Sequence, residues 1–556
     1  MMDYNKLAEL LFPDIKEGIE DIMSKYPPRT LKEGAQVTRL GPSPTGYLHI
    51  GHLYSAMISK ITAQNSGGVF YLRIEDTDQK RYIKGAGDVA YDMLCYYGVV
   101  PDEGYQGDDK VQIGNYGDYV QSHRTHIYKV FAKHLVKIGR AFPCFCTASE
   151  SKQDILDRRE KDLEALDTIT EHDEACRSLT LEQIEANIKA GKPWALKLLS
   201  QGDINKQHDF VDLIKGKRVI RENAKDVVLI KSNGIPPYAL AHVVDDSLMH
   251  TTIVVRGEEW YPSVSAHLEI FSALGLKAPK YAHTPVISKI ENGNKRKLSK
   301  RKDPEADVRF YIEQGYPIES VKEYVMGLLN SDFEMWRETH KTDDISLFPF
   351  SIKKIGSNNP MFDFDKLDNV SKNVIGLFSP KRIAKDLLTW AKNYDKDFYS
   401  AICDKEEFLV ELFSIDRVGV KNPRKDIAKY SDVKNLYSYM FFPLDMPKDM
   451  YEFAILNEDI AKILNDYKTS YDLNDDKETW FNKIKAICTK YNYCANMKEY
   501  KLNPQLYKGS IADVSSIIRV ALTGKANTPD LYYIMKLLGK EEIDRRIDKI
   551  VSLLQR

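Results

Sequence analysis

Apolar positions recur at helical spacing through the first 35 residues: Leu7, Leu10, Leu11, Ile15, Ile19 and Ile22 fall on one face. Pro13 breaks this pattern and Pro27-Pro28 ends it, so residues 1–35 read as a short helical extension with no chemistry of its own. From residue 36 the period changes. Val37 to Leu40 reads as a strand that runs into the turn Gly41-Pro42-Ser43-Pro44-Thr45-Gly46. A helix is predicted from about Gly51 to Ala63, with Gly67-Gly68 beyond its end. Phe70, Leu72 and Ile74 then alternate along Val69 to Glu75, as in a strand. Strand, helix and strand in this order predict a parallel α/β unit.

The middle of the chain differs. Residues 121–225 are rich in helix formers and charge, as in Lys152 to Leu166, and finish in strand-like pieces such as Trp194 to Leu199. They read as an α+β insertion, because Asp226 to Ile230 and Thr252 to Val255 resume the α/β pattern. Residues 303–375 alternate helix and loop, and the remainder is nearly all helical. In the last segment Ile543, Ile547, Ile550, Val551 and Leu554 mark one buried helix face. The expected divisions are therefore 1–35, then 36–120 with 226–302, an insertion at 121–225, and two helical regions at 303–375 and 376–556.

Composition narrows the class without naming it. The chain has 556 residues, enough for several cores, and is 43% hydrophobic and 29% charged, an ordinary globular balance. It has no run of eighteen apolar residues, which argues against a membrane span, and acidic residues near the N-terminus argue against a targeting signal. Seven scattered cysteines suit a reducing cytoplasm better than a disulfide framework. The net charge of −1 neither supports nor excludes RNA, which local basic patches can hold.

Two short motifs carry chemistry. The first is His49-Ile50-Gly51-His52, at the start of the helix that follows the first strand. The chain has no Gly-x-x-x-x-Gly-Lys-Ser/Thr, which argues against a P-loop nucleotide site. A helix N-terminus offers free N–H groups and a positive dipole end to phosphate, Gly51 permits close approach, and the two imidazoles can donate to phosphate oxygens. Alone, the pair of histidines equally describes a cap and a surface residue. The second motif is Lys297-Leu298-Ser299-Lys300-Arg301, inside Lys295 to Lys302, where six of eight residues are basic. It reads either as a solvated charge run or as a mobile loop that brings Lys300 to a departing pyrophosphate.

Together these motifs, about 250 residues apart, resemble the signature pair of the class I aminoacyl-tRNA synthetases. Further blocks resemble the bacterial glutamate type: Arg39 to Gly46, Arg73-Ile74-Glu75-Asp76-Thr77-Asp78, Tyr238 to Asp246, Arg256-Gly257-Glu258-Glu259-Trp260, Phe362 to Leu367 and Arg519 to Gly524. The resemblance spans roughly residues 36–556. It implies a Rossmann-like catalytic domain, an acceptor-stem-binding insertion at 121–225, a stem-contact domain at 303–375 and a helical anticodon-binding region at 376–556. It also implies ATP-dependent activation of L-glutamate to an adenylate and transfer to tRNA(Glu), with Mg2+ accompanying ATP. Neither DNA nor a membrane is an expected partner.

The resemblance also assigns residues. ATP would meet Pro42, Thr45, Gly46, His49, Gly51, His52, Trp260, Lys297, Ser299 and Lys300, with His49, His52, Lys297 and Lys300 acting in the reaction. Glutamate carries two carboxylates and one ammonium, so its site wants two cations and one anion. Arg39 with Tyr238 would face the side-chain carboxylate, Arg256 the α-carboxylate, and Glu75 with Ser43 the ammonium. His242, which stands where some relatives carry asparagine or cysteine, is also assigned to glutamate as a hydrogen-bonding contact. Cys144, Cys146 and Cys176 resemble a zinc site of some relatives, whose fourth ligand falls at Ser178 here, a poor zinc ligand, although His172 lies near. Reduced structural thiols are the equal alternative. Lys381-Arg382 and Lys421 to Lys425 are candidate tRNA-backbone contacts.

The nearest rival is glutamine–tRNA ligase, whose anticodon region is built from β-barrels, unlike the helical C-terminal third predicted here. A catalytically inactive tRNA-binding homologue is a second reading, opposed by intact His49, His52 and Lys300. A small-molecule adenylyltransferase is a third, and has no use for the long helical region.

Overall fold

The computed structural model describes residues 2–108, 111–146, 171–299, 301–444 and 457–554. They fall into two compact units, Met1–Phe310 with Lys322–Asp363, and Tyr311–Val321 with Phe364–Arg556. Residues 303–375 thus contribute to both units, and the helices Val308–Gln314 and Ile318–Leu329 each carry residues of both.

In the first unit, β1 (Val37–Leu40) pairs in parallel with β2 (Val69–Leu72), which pairs in parallel with β3 (Glu103–Asp108), while β4 (Val111–Ile113) closes that edge antiparallel. Every residue of β1 is buried, the polar Thr38 and charged Arg39 included. Between β1 and β2 runs α3 (Ile50–Ser66), the third helix after α1 (Tyr4–Leu11) and α2 (Ile19–Ser24). It ends at Gly67, which takes the left-handed φ of 65°, and a Cβ on Gly68 would stand 1.9 Å from the Gln36 carbonyl oxygen. The glycine pair is therefore required both to stop the helix and to admit the returning strand.

The strands of residues 121–225 pair with strands that lie beyond that range. β5 (Ala141–Cys144) and β6 (Ala195–Leu198) are antiparallel, and β6 pairs with β9 (Val228–Ile230). The hairpin of β7 (Gln207–Asp212) and β8 (Gly216–Arg221) joins β11 (Lys280–Thr284) at Asp212–Tyr281, and β11 is parallel to β10 (Ile253–Gly257). β1 and β10 run side by side: Thr252 N donates to the Val37 carbonyl and Val37 N to Thr252 Oγ1, each at 2.9 Å. Strand order therefore reverses at this seam, with β2 to β4 on one side and β11, β7 and β8 on the other. In an open parallel sheet, the carboxyl ends at such a reversal leave a crevice. A short hairpin, β12 (Ser288–Glu291) with β13 (Asn294–Lys297), follows.

The N-terminal helices belong to this unit's core. Leu7, Ala8, Leu11, Phe12, Ile15, Ile19 and Ile22 are buried with Tyr128, Phe131 and Leu135 of the helix Thr125–Lys137. The buried Lys133 ammonium donates to the Phe12 and Ile15 carbonyls at 3.1 and 2.6 Å, and Arg29 grips Glu103 through two bonds of 2.8 and 3.0 Å. The helix formers of Lys152 to Leu166 lie outside the described residues.

In the second unit the described regular elements are all helical. One core gathers Ile383, Leu387, Leu409, Leu412 and Phe413; another gathers Ile463, Ile484, Ile518 and Ile547. The final helix, Lys540–Leu554, buries Ile543, Ile547, Ile550 and Val551, the face read from the sequence. Among the described residues, no helix is long and apolar enough to cross a membrane.

Candidate active site

The carboxyl ends of β1, β10 and β11 open into a cavity of about 530 Å3. Its wall includes Arg39, Ser43, Thr45, His49, Gly51, His52, Glu75, Tyr238, Arg256, Trp260, Lys297 and Ser299. The helix tip and the basic loop, far apart in sequence, thus face one space. Pro42 and Gly46 instead line a small neighbouring pocket with Ser43 and His52. Lys300 lies outside the described residues.

At the helix tip, His49 is the N-cap of α3, and its Nδ1 accepts from the Gly51 N–H at 2.9 Å. An imidazole that accepts at Nδ1 carries its proton on Nε2, which remains a donor. His52 makes the reciprocal contact, its Nδ1 accepting from the His49 N–H at 3.5 Å. Opposite, the loop expected to be mobile begins as the ordered hairpin β12–β13. Arg296 binds Asp303 through bonds of 2.6 and 2.7 Å and Glu291 through 2.7 and 3.0 Å. Leu298 is buried, and Lys297 Nζ lies 3.4 Å from Glu259 Oε1.

The floor is a cluster of buried charges. Arg39 Nη2 and Arg256 Nη1 both donate to the Tyr238 hydroxyl, at 3.2 and 3.3 Å. Two guanidiniums therefore converge on one phenol oxygen at the cavity wall. Glu75 accepts from Arg73 Nη2 at 2.7 Å, and burial raises its pKa while Arg73 and Arg39 oppose that shift. Gly41 makes room for it: a Cβ there would stand 2.2 Å from Glu75 Oε1.

His242, expected to touch glutamate, does not line this cavity. It is fully buried one helical turn below Tyr238, with the two rings stacked 5.1 Å apart. Its Nδ1 is 2.6 Å from Asp246 Oδ2 and its Nε2 3.0 Å from the Tyr281 hydroxyl. Burial pushes its pKa down to about 4, against the pull of Asp246. The sequence reading also passed over the charges beneath the site. Asp246 receives Arg73 Nη1 at 2.8 Å and lies 3.4 Å from Arg39 Nε. Burial opposes its charge, but Arg73 and Arg39 overcome that and hold the carboxyl well below the ordinary range. Asp245 binds Arg124 at 2.7 Å and the Tyr128 hydroxyl at 2.7 Å. Two adjacent aspartates in the largely apolar helix Tyr238–Leu248 were the available signal.

Away from the cavity, the Sγ atoms of Cys144, Cys146 and Cys176 lie within 4.8 Å of one another. The Ser178 hydroxyl donates to the Glu174 carbonyl, and the His172 side chain lies outside the described residues.

An open parallel sheet with a helix-tip imidazole pair, a basic loop and a charged floor at its reversal describes a nucleotide-using α/β enzyme. Residues 36–368 match the family model for tRNA synthetases class I (E and Q), catalytic domain, and residues 507–551 match an anticodon binding domain. The chain belongs to this class I tRNA synthetase family. It is 42% identical to the glutamate–tRNA ligase of Acetivibrio thermocellus over 554 residues, covering 99% of this chain and all of that one. It is 43% identical to the glutamate–tRNA ligase of Clostridium perfringens strain 13 over 558 residues, covering 98% and 100%. Among solved structures, glutamate–tRNA synthetase from Elizabethkingia anophelis is similar with a TM-score of 0.73 and 25% identity, covering 93% of this chain and 100% of that one.

Proposed function

We infer that the chain ligates L-glutamate to tRNA, with tRNA(Glu) as acceptor, by way of a glutamyl-adenylate. The observation that carries this reading is the Tyr238 hydroxyl shared by Arg39 and Arg256, beside buried Glu75, in the cavity that His49, His52 and Lys297 also line. Two cations and one anion match two carboxylates and one ammonium. Arg39 with Tyr238 would hold the side-chain carboxylate, Arg256 the α-carboxylate, and Glu75 with Ser43 the ammonium. Glutamine would leave one guanidinium facing a neutral amide, which favours glutamate.

The substrate α-carboxylate oxygen attacks the α-phosphorus of ATP, brought in with Mg2+, and pyrophosphate leaves. The 2′-hydroxyl of the terminal tRNA adenosine then attacks the adenylate carbonyl, and AMP leaves. No side-chain nucleophile is required, because positioning and charge supply the rate. The Nε2–H groups of His49 and His52 would donate to phosphate oxygens, and Lys297 and Lys300 would stabilise pyrophosphate. His242, below the floor, would support Tyr238 by stacking. A cytoplasmic setting accords with seven cysteines scattered along the chain. The three gathered thiols suit a soft cation such as Zn2+, which would tie β5 to the helix Glu171–Arg177; metal analysis of protein purified without chelator tests this.

Glutamate-dependent ATP–pyrophosphate exchange, measured with tRNA present, tests the central reading. Exchange with glutamine but not glutamate, or with neither, would overturn it. Lys300→Ala should slow adenylate formation by about a hundredfold or more, the scale of one lost transition-state donor, while glutamate binding stays near wild type.

A further inference from the structure

Arg256 is a buried cation of unusual surroundings. Its Nε donates to His283 Nε2 at 3.0 Å, its Nη1 donates to the Tyr238 hydroxyl at 3.3 Å, and both Nη atoms lie 3.4 Å from His267 Nδ1. Its guanidinium also lies over the Tyr281 ring, 4.7 Å from the centroid. All these partners are neutral acceptors or π faces, and among the described residues no carboxylate is ion-paired with Arg256. Arg39, by contrast, has Asp246 at 3.4 Å.

The protons along this chain of contacts can be assigned. Because His283 Nε2 accepts from Arg256, the imidazole proton sits on Nδ1. That atom lies 2.6 Å from Asp212 Oδ2 and donates to it. Asp212 is in turn held by the backbone N–H groups of Ile214 at 2.9 Å, Lys215 at 2.8 Å and His283 at 3.2 Å. Burial works against its charge, but the His283 bond and these N–H groups keep its carboxyl below the ordinary range. Burial likewise holds His283 below its usual pKa, in the neutral form the geometry needs.

We propose that Asp212 and His283 form a positioning pair, which fixes the direction of the Arg256 guanidinium while leaving its charge for the carboxylate of the substrate. A carboxylate placed directly against Arg256 would orient it equally well but would neutralise it. A neutral imidazole whose tautomer is set by a remote anion orients it without that loss. The anion comes from the end of β7, in the segment between the two halves of the α/β pattern, so the substrate cation is set by a strand outside the recognised motifs. This proposal rests on the reading that Arg256 faces a substrate carboxylate.

The experiment measures KM for glutamate and for ATP separately in exchange with tRNA present, and melting temperature, for H283L, H283Q, D212N and R256Q. R256Q tests the underlying reading: an unchanged glutamate KM there would show that Arg256 does not meet the substrate. Given a raised KM in R256Q, H283L should raise glutamate KM about tenfold or more, the scale of one misaligned charged contact, with ATP KM within about twofold. H283Q, which places an acceptor near the lost Nε2, should restore most of the affinity. D212N should behave like H283L, because an amide lets the imidazole turn its proton toward Arg256, and it decides the matter if H283L does not fold. Unchanged glutamate KM in D212N, equal impairment of H283Q and H283L, or a parallel rise in ATP KM would each overturn the proposal.

Discussion

At the scale of single residues, burial decides what a histidine does. His242, His267 and His283 all lie behind Arg39 and Arg256, and burial lowers the pKa of each, His242 to about 4 and His267 well below its ordinary value. Each is neutral where its neighbours need an acceptor or a ring face. The sign of the pH effect follows. A histidine whose folded pKa lies below its unfolded value of about 6.5 binds its proton more readily when unfolded. Its contribution to stability is complete above that value and is lost as pH falls toward the folded pKa. Melting temperature should therefore fall between pH 7 and pH 5, with proton uptake on unfolding, at up to about 1.4 kcal/mol per pH unit for each histidine. The H242Q variant should show a shallower slope over this range by calorimetry. An identical slope would remove His242 from the account. His242 and Tyr238 are four residues apart on one helix, so spacing placed both on one face. It could not tell that the first turn reaches the cavity and the second lies roughly 6 Å deeper.

At the scale of elements, the terminal segment shows the same limit. Its periodic leucines and isoleucines predicted helices, and α1 and α2 form on either side of Pro13. The pattern announced an apolar face without saying what covers it. The face meets the helix Thr125–Lys137, and carbonyls just past α1 satisfy the buried Lys133 ammonium. Leu7 is almost wholly buried, so Leu7→Ala should cost about 2–5 kcal/mol, the range for truncating a core leucine. Urea unfolding should show it as a lower midpoint with unchanged slope. A change below about 0.5 kcal/mol would mean that the segment is a dispensable appendage.

At the scale of the whole molecule, a net charge of −1 leaves RNA binding to local basic surface. Of the clusters nominated from sequence, several members are already engaged. Arg382 pairs with Glu319 at 2.6 Å, Arg424 with Asp426 at 2.9 Å, and Lys425 donates to Asn373 at 2.8 Å. Lys381 and Lys421 are exposed. Binding of tRNA should weaken steeply as salt rises, and Lys421→Ala should lower the slope of log affinity against log salt by about one, an outcome filter binding can read. An unaltered slope would remove Lys421 from the contact surface.

The strand, turn and helix around Gly41 to Gly67 and the helical C-terminal third were determined by the sequence itself. Each depends on local stereochemistry: where glycine must bend the chain, where proline stops it, and at what period apolar groups recur. Only the tertiary structure decided which polar residues share a cavity. It set Tyr238 between Arg39 and Arg256, sank His242 beneath them, and brought Asp212 to His283 across 71 residues. Periodicity records that a side chain is buried; the partner that satisfies its charge is chosen by packing between segments that no local pattern connects.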